Sequence, residues 1–406
     1  MKTNNIVGEF KKMVKDFAVK AESISNSQGY ADLEKDLRDQ GQRILSKVFE
    51  GLIQANLDRD KEQLRECPSC SARRRHKGRR HRQLISSLGT VSLKGVYWHC
   101  PQCSQGSNSV DQLLSEKFSP AMTELLCLLG TSMSSFAVSS TCSHKLLGVR
   151  VSDNTIRKLC ISQGRQVVSN RLKPEQVEDG ATLIGSCDGT MVNTRQDGWR
   201  ELKALQFRHD KGSYGQAHLE NSRRFARRLR KAAFHMGAGR SGRFAFVSDA
   251  AGWIEKSVRQ QLPQAVHIID IWHACEHIWC AGNSIHGEGS DKARNWSEKY
   301  CRLLGDEGVE TLLLRLSRIR YKDSARQSAL EKLKNFLTRN QDRMRYKEYT
   351  SANLPISSGP MESFCKQLGH RLKGPGMRWT KANIDPMAAM VSLICSQQWD
   401  KYWKAA

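Results

Sequence analysis

Apolar positions recur along the chain in three successive regimes. From residue 1 to about 66 the chain is polar, with apolar residues at Ile6, Phe10, Met13, Val14 and Phe17 and again at Leu33, Leu37, Ile44, Val48 and Leu52. Spacings of three, four and seven put each set on one helix face, so two amphipathic helices are predicted, separated near Asn26 to Tyr30. Residues 67–118 carry strand-like runs, RQLISSLGTVSL and GVYWHC. Residues 119–175 read as three helices. Ser119-Pro120 opens the first, Ser134 to Leu147 forms the second and Gly148 ends it, and Ser152 or Asp153 caps the third. From residue 180 strands and helices alternate. ATLIGSCDGTMVNT, WRELKALQFR and a stretch near Ser213 to Leu219 are strands; a helix follows from Ser222 to Met236, then the strand RFAFVSD, a helix from about Gly252 to Leu262, and AVHIIDIWHA, a strand running into a helix. That order describes a mixed α/β sheet in a multi-domain chain. A last helix holding Trp399 and Trp403 is predicted to be capped by Asp385 and opened by Pro386.

Cysteine spacing adds a metal site. The chain has 13 cysteines, and only Cys67-x2-Cys70 and Cys100-x2-Cys103 have metal-ligand spacing. A C-x-x-C knuckle turns two thiolates toward one ion, and two knuckles complete a tetrahedral set of four, so structural Zn2+ on a zinc ribbon is expected, with two redox pairs as the alternative. Between the knuckles lies RRRHKGRRHR, which supplies Arg73, Arg74, Arg75, Lys77, Arg79, Arg80 and Arg82. A cluster of that density on a metal-stiffened hairpin suits phosphate contact, with the basic residues at the hairpin tip. The three helices after it fit a helix-turn-helix whose last helix offers Asn154, Arg157 and Lys158 to a major groove, or else a connector with no DNA contact.

Composition supports a nucleic-acid partner. Over 406 residues, 39% hydrophobic content is enough for real cores and excludes wholesale disorder, while 65 Lys and Arg against 41 Asp and Glu leave a formal charge of +24. That excess attracts polyanions. No apolar run approaches the roughly 18 residues of a membrane span, and the charged opening is unlike a signal peptide, so a cytoplasmic location is expected and no membrane partner.

Candidate chemistry sits where strands stop. Asp188 in LIGSCDG and Asp249 in FAFVSDA each end an apolar run and precede small residues, which places a carboxylate at a sheet rim. Glu362, in PISSGPMESFCKQLGHRLKG, projects from a helix start where Ser357 or Ser358 can cap and Pro360 fills the first turn. Three acids from distant segments could hold two Mg2+ ions (or Mn2+) about 3.5 to 4 Å apart for phosphodiester cleavage or exchange. Taken singly, each is equally readable as a turn residue or a helix-start carboxylate.

Together, CDGTMV around Asp188, VSDAAGW around Asp249, DIWH at Asp270 to His273 and GPMES around Glu362 resemble the Mutator-like group of bacterial insertion-sequence DDE transposases over roughly residues 120–403. The resemblance implies a ribonuclease-H-like catalytic domain over 180–403 with a helical insertion at about 280–350, preceded by a helical region (1–66), zinc ribbon (67–118) and helix-turn-helix (119–175). By that likeness Asp188, Asp249 and Glu362 are the Mg2+-binding catalytic triad, and Asp270 and His273 are accessory active-site residues. It implies binding to terminal inverted repeats and target DNA, 3'-end cleavage and strand transfer, a homodimer or higher assembly, and association with a bacterial nucleoid. Some relatives place Lys or Arg seven residues after the catalytic Glu; here that residue is Gly369, and Lys366 or Arg371 can substitute. Lys366, Arg371 and Lys373, with Arg378 and Trp379, are expected to line the DNA groove.

Two rival motifs compete. HACEH, His273 to His277, matches the inverted zinc-protease pattern H-x-x-E-H, and GAGRSG, Gly237 to Gly242, matches G-x-G-x-x-G but follows a helix instead of a strand. Outside transposition, the alternatives are a metal-dependent structure-specific nuclease and a catalytically silent DNA-binding regulator.

Overall fold

The hydrophobic stripes become packed elements in a computed structural model that describes residues 8, 11–19, 30–59, 65–113 and 117–405. The expected break at Asn26 to Tyr30 lies, except for Tyr30, outside the described residues, as do Ile6 and Phe10. The chain divides into two compact units, Met1–Cys160 and Ile161–Ala406.

In the first unit a long helix, α1 (Tyr30–Arg59), lies on a three-stranded antiparallel sheet of order β1-β2-β3, formed by Arg75–Ser86, Gly89–His99 and Gly106–Asn108. Its packing stripe is Phe49, Ile53 and Leu57 against Leu84, Val91, Leu93 and Val110; Leu52, expected on the buried face, is 53% exposed. Along β2 the edge not covered by β3 is served by side chains one helical turn apart. Glu50 accepts from Ser92 N (2.9 Å), and the Gln54 amide both accepts from Lys94 N (2.9 Å) and donates to Lys94 O (3.0 Å), as a neighbouring strand would. After the short helix α2 (Ser109–Leu113) come α3 (Pro120–Ser132), α4 (Phe136–Leu147) and α5 (Asp153–Ser169). Ser119 and Ser135 cap α3 and α4, the left-handed Gly148 (φ 67°) ends α4, and Ser152 Oγ accepts from Thr155 N at the start of α5.

The second unit is built on a five-stranded mixed sheet of order β6-β5-β4-β7-β8. Its strands are β4 (Thr182–Thr194), β5 (Gly198–His209), β6 (Gly212–His218), β7 (Arg243–Ser248) and β8 (Val266–Ile269). The first three form an antiparallel meander, and β7 and β8 run parallel to β4. Crossovers α6 (Ser222–His235) and α7 (Gly252–Gln261) cover one face, where Leu183, Cys187, Leu205, Phe207, Phe244 and Phe246 meet Phe225, Leu229, Ile254 and Val258. GAGRSG is the turn between α6 and β7.

The other face is covered by residues far along the chain. Ala245, Val247, Ile268 and Ile269 share a core with the helices that follow β8: α8 (Ile271–His286), α9 (Asp291–Asp306), α10 (Val309–Ser317), α11 (Ser324–Asn340) and α12 (Tyr346–Ser351). Next, α13 (Gly359–Leu372) packs on β4 and α14 (Lys381–Cys395) on β6, before α15 (Trp399–Ala405). The expected cap at Asp385 is corrected here. Thr380 stands at the N-cap of α14, Pro386 is inside the helix, and the Asp385 carboxylate instead accepts from Leu219 N and bonds His218 Nδ1, both at 2.8 Å. That contact pins α14 to the end of β6.

Helices α5 and α14 approach so closely that a Cβ on Gly164 would sit 2.1 Å from the Pro386 carbonyl oxygen, which is backbone and cannot rotate away. Gly164→Ala is therefore expected to destabilise the protein by about 1–3 kcal/mol in urea unfolding. In Gly41→Ala the new methyl meets nothing within 4 Å in a helix interior, and the same measurement should show a gain of up to about 1 kcal/mol. Equal stabilities for the two variants would contradict the close approach.

Candidate functional site

The two knuckles are built from one local design. Cys67 and Cys100 open CPSCS and CPQCS, and in each the serine after the second cysteine turns left-handed, Ser71 at φ 57° and Ser104 at φ 58°. That turn returns Ser71 N to Cys67 O (2.8 Å) and Ser104 N to Cys100 O (3.0 Å), which folds each thiol pair inward. The ligand atoms of Cys67, Cys70, Cys100 and Cys103 all lie within 4.8 Å of one another, with Cys67–Cys103 and Cys70–Cys100 sulfurs 3.5 Å apart. A tetrahedron with 2.3 Å arms has edges of about 3.8 Å, so the set fits zinc. Backbone N–H groups, Ser69 first, pull the Cys67 thiol down to about 6, and those of Cys103 and Gln102 lower Cys100. Although the Ala72 N–H favours its thiolate, hydrogen bonding to Cys100 and desolvation push the Cys70 thiol up to about 12.

The basic run beside this quartet is a strand, not a tip. The hairpin turns at Ser87 and Leu88, whereas Arg75 to Arg82 lie on β1 near the knuckles, with a register shift at Gly78 (φ 90°). β1 is an edge strand, and Arg73, Arg75, Lys77, Arg79 and Arg80 are exposed. Arg80 lies 3.6 Å over the Tyr97 ring, and Arg82 is ion-paired with Asp111. Arg74 departs from the expectation of phosphate contact. It is 5% exposed, donating to Ser107 Oγ (2.7 Å) and lying 3.9 Å from Cys67 Sγ, so it braces the knuckle. On α5, Asn154 Oδ1 accepts from Arg157 at 2.7 Å and Lys158 is exposed.

Register places the aspartates in a row. β4 pairs with β7 as Ser186↔Val247 and β7 with β8 as Ser248↔Ile269, so continuing each ladder sets Asp188 beside Asp249 and Asp249 beside Asp270. Alternation along β4 turns Leu183 and Cys187 toward α6 and α7 and Asp188 toward α13. Asp188 is half-buried and lies above the usual carboxylate range, chiefly through burial, with the negative charges of Asp249 and Glu201 adding to it. Asp249 Oδ1 accepts from Ala251 N (3.0 Å). Cys365 on α13 hydrogen-bonds Asp188, and burial together with that carboxylate pushes its thiol far up. Glu362, one turn earlier on α13, is exposed and paired with Lys366 at 2.8 Å. Among the described residues the four cysteines alone gather three or more ligand atoms within 4.8 Å: Asp249 follows the end of β7, whereas Asp188, expected at a strand end, lies inside β4 because the strand runs on to Thr194, and the Glu362 carboxylate is turned to Lys366.

Other expected residues fall into place or move away. Asp270 is buried at the N-cap of α8, and His273, one turn on, bonds Glu276 through Nδ1 at 3.2 Å. His277 stacks on Phe336 at 3.7 Å, so HACEH serves packing and joins no cluster of three ligands among the described residues. Lys366 and Lys373 are exposed. Arg371 is 1% exposed and lies 5.5 Å over the Trp379 ring, so it cannot reach a phosphate as expected. Trp379 is buried too, and its backbone N–H and C=O bond Asn193 O and Arg195 N at 2.9 Å, lengthening the sheet beyond β4. Glu201, ion-paired with buried Lys203 and packed where a Gly189 side chain would stand, was missed, as was Cys365. The Gly189↔Lys203 register and the i, i+3 spacing from Glu362 are the signals that point to them.

No family model and no curated protein match the chain. Among solved structures it is similar to a Drosophila P element transposase strand transfer complex at 12% identity, covering 71% of this chain and 81% of that one, with a TM-score of 0.25. No helix among the described residues is long and apolar enough to cross a membrane.

Because Cys67 is a thiolate near neutral pH while Cys70 and Cys103 hold their protons, zinc uptake by metal-free protein at about pH 7.5 should release about two to three protons per ion. Protons compete with the metal, so affinity falls as pH falls. Calorimetry in buffers of different ionisation heat checks the count, and Cys70→Ser should lower it together with zinc content. Uptake without proton release would exclude a four-thiolate site.

Proposed function

We propose that the chain is a DNA transposase with a ribonuclease-H-like catalytic domain, in which Asp188, Asp249 and Glu362 hold Mg2+ and the first unit binds element ends. The observation that carries the reading is the alignment of Asp188, on β4, with Asp249, just past the end of the neighbouring β7, with α13 bringing Glu362 one turn from the residue that touches Asp188. Three catalytic-type acids from segments this far apart serve no evident packing purpose. The antiparallel meander followed by two strands parallel to the first agrees with the catalytic domain that the sequence motifs imply.

The donor chemistry suits a hard divalent cation, since the rim offers carboxylate oxygens and no thiolate or imidazole cluster. Bound Mg2+ would supply the positive charge that activates a water or 3'-hydroxyl and offsets charge on the leaving oxygen. The chain's own part is positioning. Strands β4 and β7 fix two carboxylates side by side, and Cys365 orients Asp188 by hydrogen bonding. Lys366 and Lys373 flank Glu362 as phosphate contacts, and exposed Arg73 before β1, Arg75, Lys77, Arg79 and Arg80 on β1 and Lys158 on α5 supply counter-charge for duplex DNA. Simultaneous capture of two DNA ends calls for at least a dimer.

The test incubates purified protein with labelled DNA carrying the sequences that flank its gene, a target plasmid and Mg2+. Wild type is expected to nick at discrete 3' ends and join them to plasmid. Asp188→Asn and Glu362→Gln should still bind DNA but lose both steps by at least about 10²-fold, more than the loss of a supporting residue costs. Cutting without joining would identify a nuclease instead, and metal-independent binding with no chemistry a regulator.

A further inference from the structure

Asp270 completes the row of aspartates, yet its hydrogen bonding sets it apart. It is 7% exposed. Oδ1 accepts from Trp272 N at 2.7 Å, capping α8, and Oδ2 accepts from both the backbone N and the Oγ of Ser358 at 2.5 Å. Ser358 lies 88 positions downstream, beyond the whole helical insertion, and is the N-cap residue of α13. Its hydroxyl makes no cap bond to its own helix, because it is donated to Asp270. A second strap lies alongside, from Ile271 N to Ile356 O at 3.0 Å. The Ser358 carbonyl in turn accepts from Met361 N (2.8 Å) and Glu362 N (3.1 Å), so the clamp is one residue removed from the peptide that carries Glu362.

We infer that Asp270 is a positioning residue whose carboxylate clamps Ser358 and thereby sets the first turn of α13, and with it Glu362, against β4 beside the end of β7; it is not a metal ligand. A carboxylate that already accepts three short bonds in a buried setting has little lone-pair capacity left for a cation. The Asp249 carboxylate by contrast accepts from Ala251 N and is half-buried. The clamp also explains how the insertion is tolerated. The chain leaves the sheet at Asp270 and returns to the same point at Ser358, so helices α8 to α12 form a closed excursion that leaves the spacing of the acids unchanged. The importance of the clamp for catalysis rests on the proposed triad, whereas the clamp itself does not.

The experiment therefore reads both. In metal-free full-length protein, amide hydrogen exchange at residues 361 to 364 reports the first turn of α13. Asp270→Asn keeps the shape but offers only one oxygen for Trp272 N and Ser358 N, and exchange there should quicken by about 10- to 100-fold. Ser358→Ala, which keeps its backbone donor, should give a smaller rise and serves if the first variant does not fold. Ser358→Thr keeps both donors and should restore slow exchange. In Mn2+ titrations followed by electron paramagnetic resonance, Asp270→Asn should leave the number of bound ions unchanged and lower DNA cleavage by about 10- to 100-fold. Unchanged exchange in Asp270→Asn, or loss of one bound ion with Ser358→Ala silent, would overturn the inference. Quickened exchange in a protein whose wild type neither binds Mn2+ nor cuts DNA would uphold the clamp and reject the triad.

Discussion

The ladder that joins β4, β7 and β8 in parallel is the constraint on which the second unit turns. Parallel neighbours keep their register, so Asp249 and Asp270, one step past β7 and β8, stand in line with Asp188 on the longer β4, with neighbouring strands about 4.8 Å apart. Like charges so close repel, and each is partly desolvated, so the arrangement costs stability unless something relieves it. The relief is uneven. Asp270 has three N–H and O–H donors and the positive end of α8, while Asp188 has the Cys365 thiol and the Gly189 N–H and stays above the normal carboxylate range. One acid of the row is thereby committed to structure, and the other two retain an affinity for added positive charge.

The first unit solves the opposite problem. Its sheet has a modest core, Leu84, Val91, Leu93 and Val110 under Phe49, Ile53 and Leu57, and half of β1 is a run of exposed cations with no apolar face at all. Such a strand gains little from burial. Its geometry is held by its ladder to β2, by the paired knuckles at its foot and by Arg74 reaching back to Cys67 and Ser107. A bound ion tying four thiolates would supply what the core lacks. The same charges disfavour pairing of the exposed edge with another strand, and on the proposed reading they are also the phosphate contacts.

Local signals in the sequence were readable wherever one segment determined its own conformation. Strand and helix runs in residues 181–269, the serine caps of α3 to α5 and the cysteine spacing follow from periodicity and side-chain chemistry within a few residues. Failures occurred where a distant partner decided. Asp385 has the residue type and the following proline of a helix N-cap, but His218 and Leu219 claim its oxygens. Arg371 stands in a basic stretch in the last turn of α13, yet it faces inward over Trp379, which itself bridges to Thr194 of β4. The basic run was expected at a hairpin tip because it is polar throughout, and only the β2 register shows it as a strand. Alternation predicts which side of β4 Asp188 faces, but not that β7 is its neighbour, since strand order leaves no local trace.

Glu362 differs from its partners in being held by backbone alone. Ser358 fixes the peptide on which it sits, and the first turn of α13 favours its charge, but its carboxylate is exposed and bound to Lys366. An exposed i, i+4 ion pair is worth at most about 1 kcal/mol and often less. A divalent cation between the rim aspartates would therefore displace Lys366 from Glu362 with little opposition, and the freed ammonium would remain beside the site, where an incoming phosphate could take it. On the proposed reading, two acids set by strands and a third left exchangeable on a clamped helix would let the cation and the DNA complete the constellation together, with the backbone already in register.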